Sequence, residues 1–295
     1  MAEPTLLVDG LGSPEGPDLL PDGRVVFVET FLCRVSAWDA RAGVHGFADV
    51  GGAPTSCVRG LDGVYVAQNG RTAGPWRSPR PCAPSIQRVG LDGRVEVVAD
   101  AASGDPLIGP NDLAFGPDGS LWFTDPGTFD PERPEPGRIC RLAPDGTCTI
   151  VAEPGHAYPN GIVAEPDGAV AWTESFTRRI RRRTPDGGVA TVATLPRGRI
   201  PDGMKRAADG SLYVAGVTSG GIDVVRPDGT LAGLVPAGRT PLNLVFDGTA
   251  LVVADFGDGG PEADVGHAVM TGLLARIEVG VAGMPPFRGA IASRR

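Results

Sequence analysis

Positive charge is scarce in this chain of 295 residues. Lysine and arginine together number 27, against 35 aspartate and glutamate residues, and the formal net charge is −8. A general nucleic-acid binder needs a cationic surface to neutralise phosphates. The charge balance therefore argues against nucleic acid as a partner, and it gives the chain no attraction to an anionic membrane surface.

Long apolar runs and paired cysteines are also missing. Residues 1–18 lack a basic region followed by an apolar stretch, which predicts no signal peptide, and no later run is long enough to span a membrane. The cysteines are odd in number and form no CxxC pair, which predicts free thiols in a reducing compartment. These absences predict a cytoplasmic protein. The five cysteines are Cys33, Cys57, Cys82, Cys140 and Cys148.

Two motifs of common catalytic classes do not occur. The chain has no GxSxG, so a serine hydrolase with a nucleophile elbow is unsupported. It has no GxxxxGKS/T, so a nucleotide-phosphate site is unsupported. Histidine is limited to His45, His156 and His267. His156 lies four residues before Asn160, so it could act as a catalytic base. We favour the alternative interpretation, in which it is an exposed histidine in a loop.

Turn signals are abundant and regular. The chain contains 44 glycines and 29 prolines, as expected for many short strands joined by tight turns. Asp-Gly dipeptides form two interleaved series. The first series consists of the six dipeptides that start at Asp22, Asp62, Asp118, Asp167, Asp209 and Asp247. The second series falls between these positions, at Asp92, Asp145, Asp186 and Asp228.

An apolar, strand-like run follows every turn of the first series, and further runs flank most turns of the second. A repeat of roughly 40–50 residues with about four short strands has the size of a propeller blade. The sequence therefore predicts an all-β fold, a six-bladed β-propeller of four-stranded antiparallel blades in one domain over residues 1–295. The runs after the first series are Val25–Glu29, Val64–Gln68, Leu121–Asp125, Val170–Glu174, Leu212–Gly216 and Leu251–Asp255.

Three details of this propeller are also predicted. Thr5–Val8 supplies the outer strand of the last blade, which closes the ring and removes two free sheet edges. The Asp-Gly turns are two-residue hairpin loops in which both residues have a positive φ. The longer spacing of blades 2 and 3 comes from surface loops near Gly70–Pro84 and Pro126–Pro136.

Polar side chains recur at one position of the repeat, seven residues before each aspartate of the first series. In five of the six blades this residue follows a proline, and in the sixth blade Leu242, after Pro241, is an alternative equivalent. Equivalent positions of successive blades lie on a ring around the axis. The carboxylate and carboxamide side chains among them are therefore predicted to converge. The six residues are Glu15, Thr55, Asn111, Asn160, Asp202 and Thr240.

A divalent cation is predicted where these side chains meet. Two carboxylates facing each other in a narrow channel repel and are poorly solvated, and a cation relieves both problems. Two carboxylates with two carboxamide oxygens suit Ca²⁺ first, with Mg²⁺, Mn²⁺ or Zn²⁺ as alternatives. Asn and Asp also occur before turns for structural reasons, but four in register favour the metal site.

The segments that carry these residues resemble a known family. Glu15–Glu29, Gly109–Pro126, Pro159–Gly168 and Ile200–Gly216 are similar to the senescence-marker protein, gluconolactonase and luciferin-regenerating enzyme family of six-bladed propeller lactonases. The resemblance covers nearly the whole chain, through Asn243–Gly257. It implies a single divalent metal in the central channel.

The resemblance also implies roles for individual residues. Glu15, Asn160 and Asp202 are implied metal ligands, and Asn111 is implied to lie beside the metal and to help hold substrate or water. Two positions depart from relatives. Gly109 stands where mammalian-type sugar lactonases have an arginine, and Thr55 stands where many bacterial relatives have asparagine. Both departures argue against an aldonolactone substrate, but not against the metal.

Lactone hydrolysis is the predicted activity. We expect the metal to polarise the lactone carbonyl, and Asp202 to be the catalytic carboxylate, as general base or as nucleophile. Two alternatives remain open, a phosphotriesterase-like hydrolase with the same metal and a non-catalytic propeller that binds a small ligand. Four further residues near the ends of inner strands are predicted to line the mouth and bind substrate, namely Asn69, Asp125, Thr218 and Asp255.

Overall fold

The computed structural model describes residues 3–258 and 270–294. These residues form six four-stranded antiparallel sheets arranged as propeller blades, as predicted. In the first three blades the strands, from the axis outward, are Pro14–Leu19, Val25–Glu29, Arg34–Asp39 and Gly43–Asp49; Pro54–Arg59, Val64–Gln68, Ser85–Val89 and Val95–Ala99; and Leu113–Phe115, Leu121–Asp125, Gly137–Leu142 and Cys148–Gly155.

The remaining blades repeat this order. Their strands are Pro159–Ala164, Val170–Glu174, Arg179–Arg183 and Val189–Thr194; Pro201–Arg206, Leu212–Gly216, Gly221–Val225 and Leu231–Pro236; and Pro241–Asp247, Ala250–Asp255, Gly272–Glu278 and Thr5–Leu11. Within each blade the second strand is buried along its whole length, because it packs between the two neighbouring blades.

The ring closes through the N-terminal strand. Thr5–Leu11 pairs antiparallel with Gly272–Glu278, with Thr5 opposite Arg276, and it forms the outer edge of blade 6. This confirms the prediction that Thr5–Val8 supplies the outer strand of the last blade. Because the first and last parts of the chain share one sheet, separation of blades 1 and 6 requires this sheet to break.

The Asp-Gly turns have a different geometry from the predicted one. Gly23 takes a positive φ of 86°, whereas Asp22 is not among the described residues with positive φ. Gly23 N donates to Leu20 O at 3.0 Å, and Leu20 N donates to Arg24 O at 2.9 Å. The loop is therefore a type I turn followed by a left-handed glycine, the common three-residue hairpin. The prediction of two positive φ angles was wrong, since only the glycine needs that freedom.

Glycines next to the axis allow the blades to approach closely. A Cβ atom on Gly161 would lie 2.5 Å from Asp202 O, and one on Gly203 would lie 2.2 Å from Asn243 Cγ. Any side chain at either position would push neighbouring first strands apart. The Asn-Gly and Asp-Gly pairs at these positions thus keep the ring narrow.

Short strand pairs occur in blade 2 and directly after it, whereas Pro126–Pro136 contains no strand, as predicted for a surface loop. Thr72–Ala73 and Trp76–Arg77 form a short hairpin, and Ala101–Ala102 pairs with Asp105–Pro106. A single turn of 3₁₀-helix covers Thr30–Leu32. Among the described residues, no helix is long and apolar enough to cross a membrane. All five cysteines lie in the described part and carry free thiols.

The C-terminal segment runs across the end of the channel that lies opposite the axial carboxylates. Leu61 N donates to Gly289 O at 2.8 Å, and Ile291 N donates to the Tyr65 hydroxyl at 2.8 Å. Arg288 forms a two-pronged ion pair with Asp18, and both side chains are nearly buried. This segment joins blades 1, 2 and 3 across the axis and closes that end.

Loss of the Arg288 guanidinium leaves the carboxylate of Asp18 buried without its cation. We expect Arg288→Ala to lower the free energy of unfolding by about 3 kcal/mol, because an unpaired buried charge is costly. Arg294→Ala, which breaks the half-exposed pair with Asp100, should cost only about 0.5 kcal/mol. Urea denaturation of both variants measures the difference. Equal losses of unfolding free energy in the two variants would show that the buried ion pair stabilises the fold no more than the exposed one.

Candidate active site at the axis

Strand register identifies the residues that surround the axis. In most blades the proline that begins the first strand pairs with the last residue of the second strand, as Pro201 does with Gly216. In blade 6 the proline that pairs in this way is Pro241, opposite Asp255. Leu242, and not Thr240, is therefore the sixth equivalent. We call the six equivalents the axial ring: Glu15, Thr55, Asn111, Asn160, Asp202 and Leu242.

The axial ring lies at the floor of one cavity. All six residues line it, and the cavity measures about 800 Å³ to its open mouth. The four side chains predicted to converge do so, and each is at most 8% exposed. They are Glu15, Asn111, Asn160 and Asp202.

Three oxygens of the axial ring are buried without a hydrogen-bond partner. They are Asn111 Oδ1, Asn160 Oδ1 and Asp202 Oδ1. Asn160 is oriented by its own amide, because Nδ2 donates to Ser175 Oγ at 3.3 Å. Buried acceptors are rarely left unsatisfied. Three acceptors in one ring therefore indicate a missing electropositive partner.

Burial and the charges of neighbouring carboxylates raise the pKa values of both carboxyl groups. For Asp202, burial and then the charge of Asp112 raise the pKa to about 8. For Glu15, burial comes first and the charges of Asp202 and Asp112 follow, so its pKa lies well above the usual value. Both groups are thus costly to ionise in the absence of a cation.

Asp112 contributes to this field and was missed in the sequence. It lies fully buried directly after Asn111, and it accepts hydrogen bonds from Ser56 Oγ at 2.6 Å and from Ile162 N at 3.2 Å. Its position next to Asn111 was the only signal available. The result is a third carboxyl group close to the two of the axial ring.

The donor set fits a hard divalent cation. No group of three or more His, Cys, Asp or Glu side chains arranged for metal binding occurs among the described residues. The axial ring instead combines two carboxylates with two carboxamides that have free oxygens. Oxygen donors of this mixture suit Ca²⁺, and a cation there would satisfy the orphan oxygens and offset the repulsion.

Hydroxyl groups of preceding blades hold the backbone of the axial ring. Thr124 Oγ1 donates to Asn160 O at 2.8 Å, and Thr173 Oγ1 donates to Asp202 O at 2.8 Å. Thr55 Oγ1 lies 2.9 Å from Asn111 O in the same way. Each contact crosses from one blade to the next, so the separation of the ring side chains is set by the packing of the blades.

Tyr158 is a second residue that the sequence did not reveal. Its backbone adopts a left-handed φ of 52°, which is strained for an aromatic residue and is typical of functional sites. Its ring lies edge-on to Phe129, with centroids 4.9 Å apart. Burial and then the charges of Asp202 and Glu15 raise the pKa of its hydroxyl well above the usual value, whereas a hydrogen bond with Asn111 opposes this. The group is therefore a neutral donor.

Of the residues predicted to line the mouth, only Asn69 does so. Thr218 is exposed and donates to Gly198 O at 2.6 Å. Asp125 and Asp255 are fully buried and turn toward the backbone. The prediction was wrong for these three, because strand-end side chains bond the adjacent loop and do not point into the channel.

Asp125 and Asp255 anchor the segments that enter the axial ring. Asp125 accepts from Gly109 N at 2.7 Å and pairs with Arg138 at 2.6 Å. Asp255 accepts from Thr240 N at 3.1 Å. Each carboxylate therefore holds the residues just before a ring proline, which makes them positioning groups.

Gly109 has no room for a side chain. A Cβ atom there would lie 2.6 Å from Asn69 Nδ2 and 2.9 Å from Gly127 O. The space that an arginine would need is thus filled by Asn69 and the blade 3 insertion. His156 is exposed, and its Nδ1 lies 2.6 Å from Pro134 O, outside the cavity lining. His267 lies outside the described residues.

Known proteins are similar to this chain in sequence and in fold. A gluconolactonase from Zymomonas mobilis is 26% identical over 254 residues, which span 75% of this chain and 68% of that enzyme. The solved gluconolactonase of Xanthomonas campestris superimposes with a TM-score of 0.73 at 24% identity, covering 95% of this chain and 89% of that one.

Regucalcin from Agrobacterium tumefaciens, described as a calcium-binding protein, gives a TM-score of 0.74 at 19% identity, over 99% of this chain and 97% of that one. At these identities the two solved structures show the fold alone. The family model for the SMP-30/Gluconolactonase/LRE-like region matches residues 13–253, which include Glu15, Asn111, Asn160 and Asp202. The chain belongs to the SMP-30/gluconolactonase/LRE-like family.

Proposed function

We propose that the protein is a metal-dependent lactonase that opens a cyclic ester at the axial ring. The observation that carries the proposal is the set of three orphan oxygens beside two buried carboxyl groups. The gluconolactonase activity named for the Zymomonas mobilis relative supports the reaction class. Family membership and the cavity together favour a small-molecule substrate.

Glu15, Asn160 and Asp202 would hold the cation, with Asn111 beside it. When bound, a divalent cation supplies a Lewis acid that polarises the lactone carbonyl and stabilises the negative charge that develops on attack. Ca²⁺ is the preferred ion because the donors are all oxygen and neutral amides share the site. The name of the regucalcin relative as a calcium-binding protein agrees with this preference.

Asp202 is the proposed catalytic carboxylate. Its Oδ1 has no internal partner, so it is available to take a proton from water as that water attacks the carbonyl carbon. The same proton then passes to the ring oxygen that leaves. Direct attack by the carboxylate, with an acyl intermediate on Asp202, is the alternative.

Asn111 and Tyr158 would orient the substrate. The amide of Asn111 interacts with the Tyr158 hydroxyl, and its oxygen is buried without a hydrogen-bond partner. The neutral phenol can donate a hydrogen bond to the substrate ester. Contacts of the Tyr158 ring with Phe129 and Phe176 hold that hydroxyl in place.

Removal of divalent cations should abolish lactone hydrolysis and lower stability. We expect dialysis against a chelator to eliminate turnover, and a cation at 100 times its Kd to restore about 3 kcal/mol of unfolding free energy. A pH-drop assay on several lactones and thermal unfolding, run in parallel with Ca²⁺, Mg²⁺, Mn²⁺ and Zn²⁺, measure both effects. A cation-dependent stability without any turnover would support a non-catalytic propeller that binds a small ligand. Hydrolysis of phosphotriesters but of no lactone would support a phosphotriesterase-like hydrolase.

Replacement of the catalytic carboxylate tests the mechanism. We expect Asp202→Asn to lower kcat by about 10²–10⁴-fold, because the amide cannot accept the proton, while the fold is retained. Asp223→Asn is the matched control, since Asp223 is buried in the same blade and pairs with Arg199 outside the cavity. Full activity of Asp202→Asn at saturating cation would remove Asp202 from the chemistry.

The raised pKa of Asp202 predicts how the stability of the metal-free protein depends on pH. The folded state keeps a proton up to about pH 8, whereas the unfolded chain loses it near its ordinary value of 3.8. Between these limits the unfolding free energy should fall as pH rises, by about 1 kcal/mol per pH unit.

Urea denaturation from pH 5 to pH 8 in chelator measures this slope. Asp202→Asn removes one of the two carboxyl groups with a raised pKa and should reduce the slope, and saturating Ca²⁺ should do the same for the unmodified protein. A metal-free protein that becomes more stable over this range would contradict the electrostatic account.

A further inference from the structure

The walls above the axial ring are apolar. Beyond the ring, the cavity is lined by side chains from blades 3 to 6 and from the short hairpin of blade 2. Five of them are apolar or aromatic, namely Ala73, Phe129, Tyr158, Val217 and Phe256. Leu242 is the apolar member of the axial ring, so this surface extends down to the ring itself.

Two aromatic groups make these walls rigid. Phe129, Tyr158 and Phe176 contact one another with ring centroids 4.9–5.2 Å apart. Phe256 packs edge-on against Phe31 at 5.7 Å, and Phe31 contacts Trp76 at 5.1 Å. Flat, pre-positioned aromatic surfaces of this kind offer contact area to an apolar ligand with little loss of side-chain freedom.

The polar side chains of the same cavity are already engaged inside the protein. Asn69 Nδ2 donates to Gly127 O at 3.0 Å, and its Oδ1 accepts from Thr72 N at 3.2 Å. Thr240 Oγ1 donates to Gly257 O at 3.2 Å. The Thr55 hydroxyl donates to the backbone carbonyl groups of Pro110 and Asn111 in blade 3. The Thr55 and Thr240 hydroxyls therefore have no proton left for a ligand, and Asn69 keeps one N–H.

Little is therefore left to recognise a ligand that carries many hydroxyl groups. Among the described residues that line the cavity, no side chain is Arg, Lys or His. Outside the cation-binding groups, the polar groups left for a ligand are Ser13, the Tyr158 hydroxyl and one N–H of Asn69. A hydroxyl buried without a partner is strongly disfavoured, so a sugar ring would lose its hydration without replacement.

We propose that the lactone opened at this site carries an aryl or alkyl group on its ring, and that polyhydroxylated sugar lactones are poor substrates. The ester would face the axial ring, and the apolar part would lie against Phe129, Leu242 and Phe256. This inference rests on the proposed lactonase function, and it names the substrate class that the walls select.

The test compares dihydrocoumarin with glucono-1,5-lactone on the cation-loaded protein, each rate divided by its uncatalysed rate. We expect kcat/KM to favour dihydrocoumarin by at least about tenfold. An equal or greater value for the sugar lactone would overturn the inference, while the lactonase function would stand.

Binding gives a readout that does not need turnover. The lactam 3,4-dihydro-2-quinolinone has the shape of dihydrocoumarin and resists hydrolysis, and calorimetry should show that it binds at least about tenfold tighter than gluconolactam. If no lactone is hydrolysed but the quinolinone binds in this way, the catalytic proposal fails and the apolar selectivity is retained. Equal or reversed affinities would contradict the selectivity.

Variants of the wall connect the selectivity to its residues. Phe256→Ala and Val217→Ala, which change two wall residues outside the axial ring, should each lower kcat/KM for dihydrocoumarin several-fold, mainly through KM, and leave the sugar-lactone value within about twofold. Leu91→Ala is the control, because Leu91 is 80% exposed at a hairpin tip and does not line the cavity. Equal losses on both substrates would assign these residues a structural role, and unchanged kinetics would place the apolar group elsewhere.

Discussion

Two carboxyl groups buried together on the propeller axis are the constraint on which the rest of the site depends. Glu15 and Asp202 come from blades 1 and 5, and the charge of Asp202 makes ionisation of Glu15 more costly. Such an arrangement requires that the fold holds the two groups in place and that a bound proton or a cation offsets their charge. The orphan oxygens of Asn111 and Asn160 lie in the same ring, so the surroundings of the pair suit the cation that we propose there.

The scaffold meets this constraint through contacts between blades. Hydroxyl groups of Thr124 and Thr173 hold the backbone of the next ring residue, and buried carboxylates such as Asp125 fix the segment that leads into the ring. Glycines directly after two ring residues allow the first strands to approach. A rigid outer shell of this kind is what keeps like charges close in a low-dielectric channel.

The local pattern predicted the repeat well and its details less well. The turn spacing predicted the six blades, and the runs at Val25–Glu29 and Leu212–Gly216 are strands with the expected bounds. The two-residue turns were wrong, because a glycine alone in the left-handed region suffices for the three-residue hairpin. Thr240 and Leu242 were the two candidates for the axial position of blade 6. Only the pairing of Pro241 with Asp255 in the structure identified Leu242 as that residue.

The sequence by itself determined the number of blades, the closure of the ring and the identity of the four polar residues at the axis. These features repeat along the chain, so their period can be counted. Only the tertiary structure decided that Asp112 and Tyr158 join the site, that Asp125 and Asp255 turn away from it, and that the walls are apolar. The physical reason is that these properties depend on which side chains from different blades and insertions meet in space, and no local period encodes that meeting.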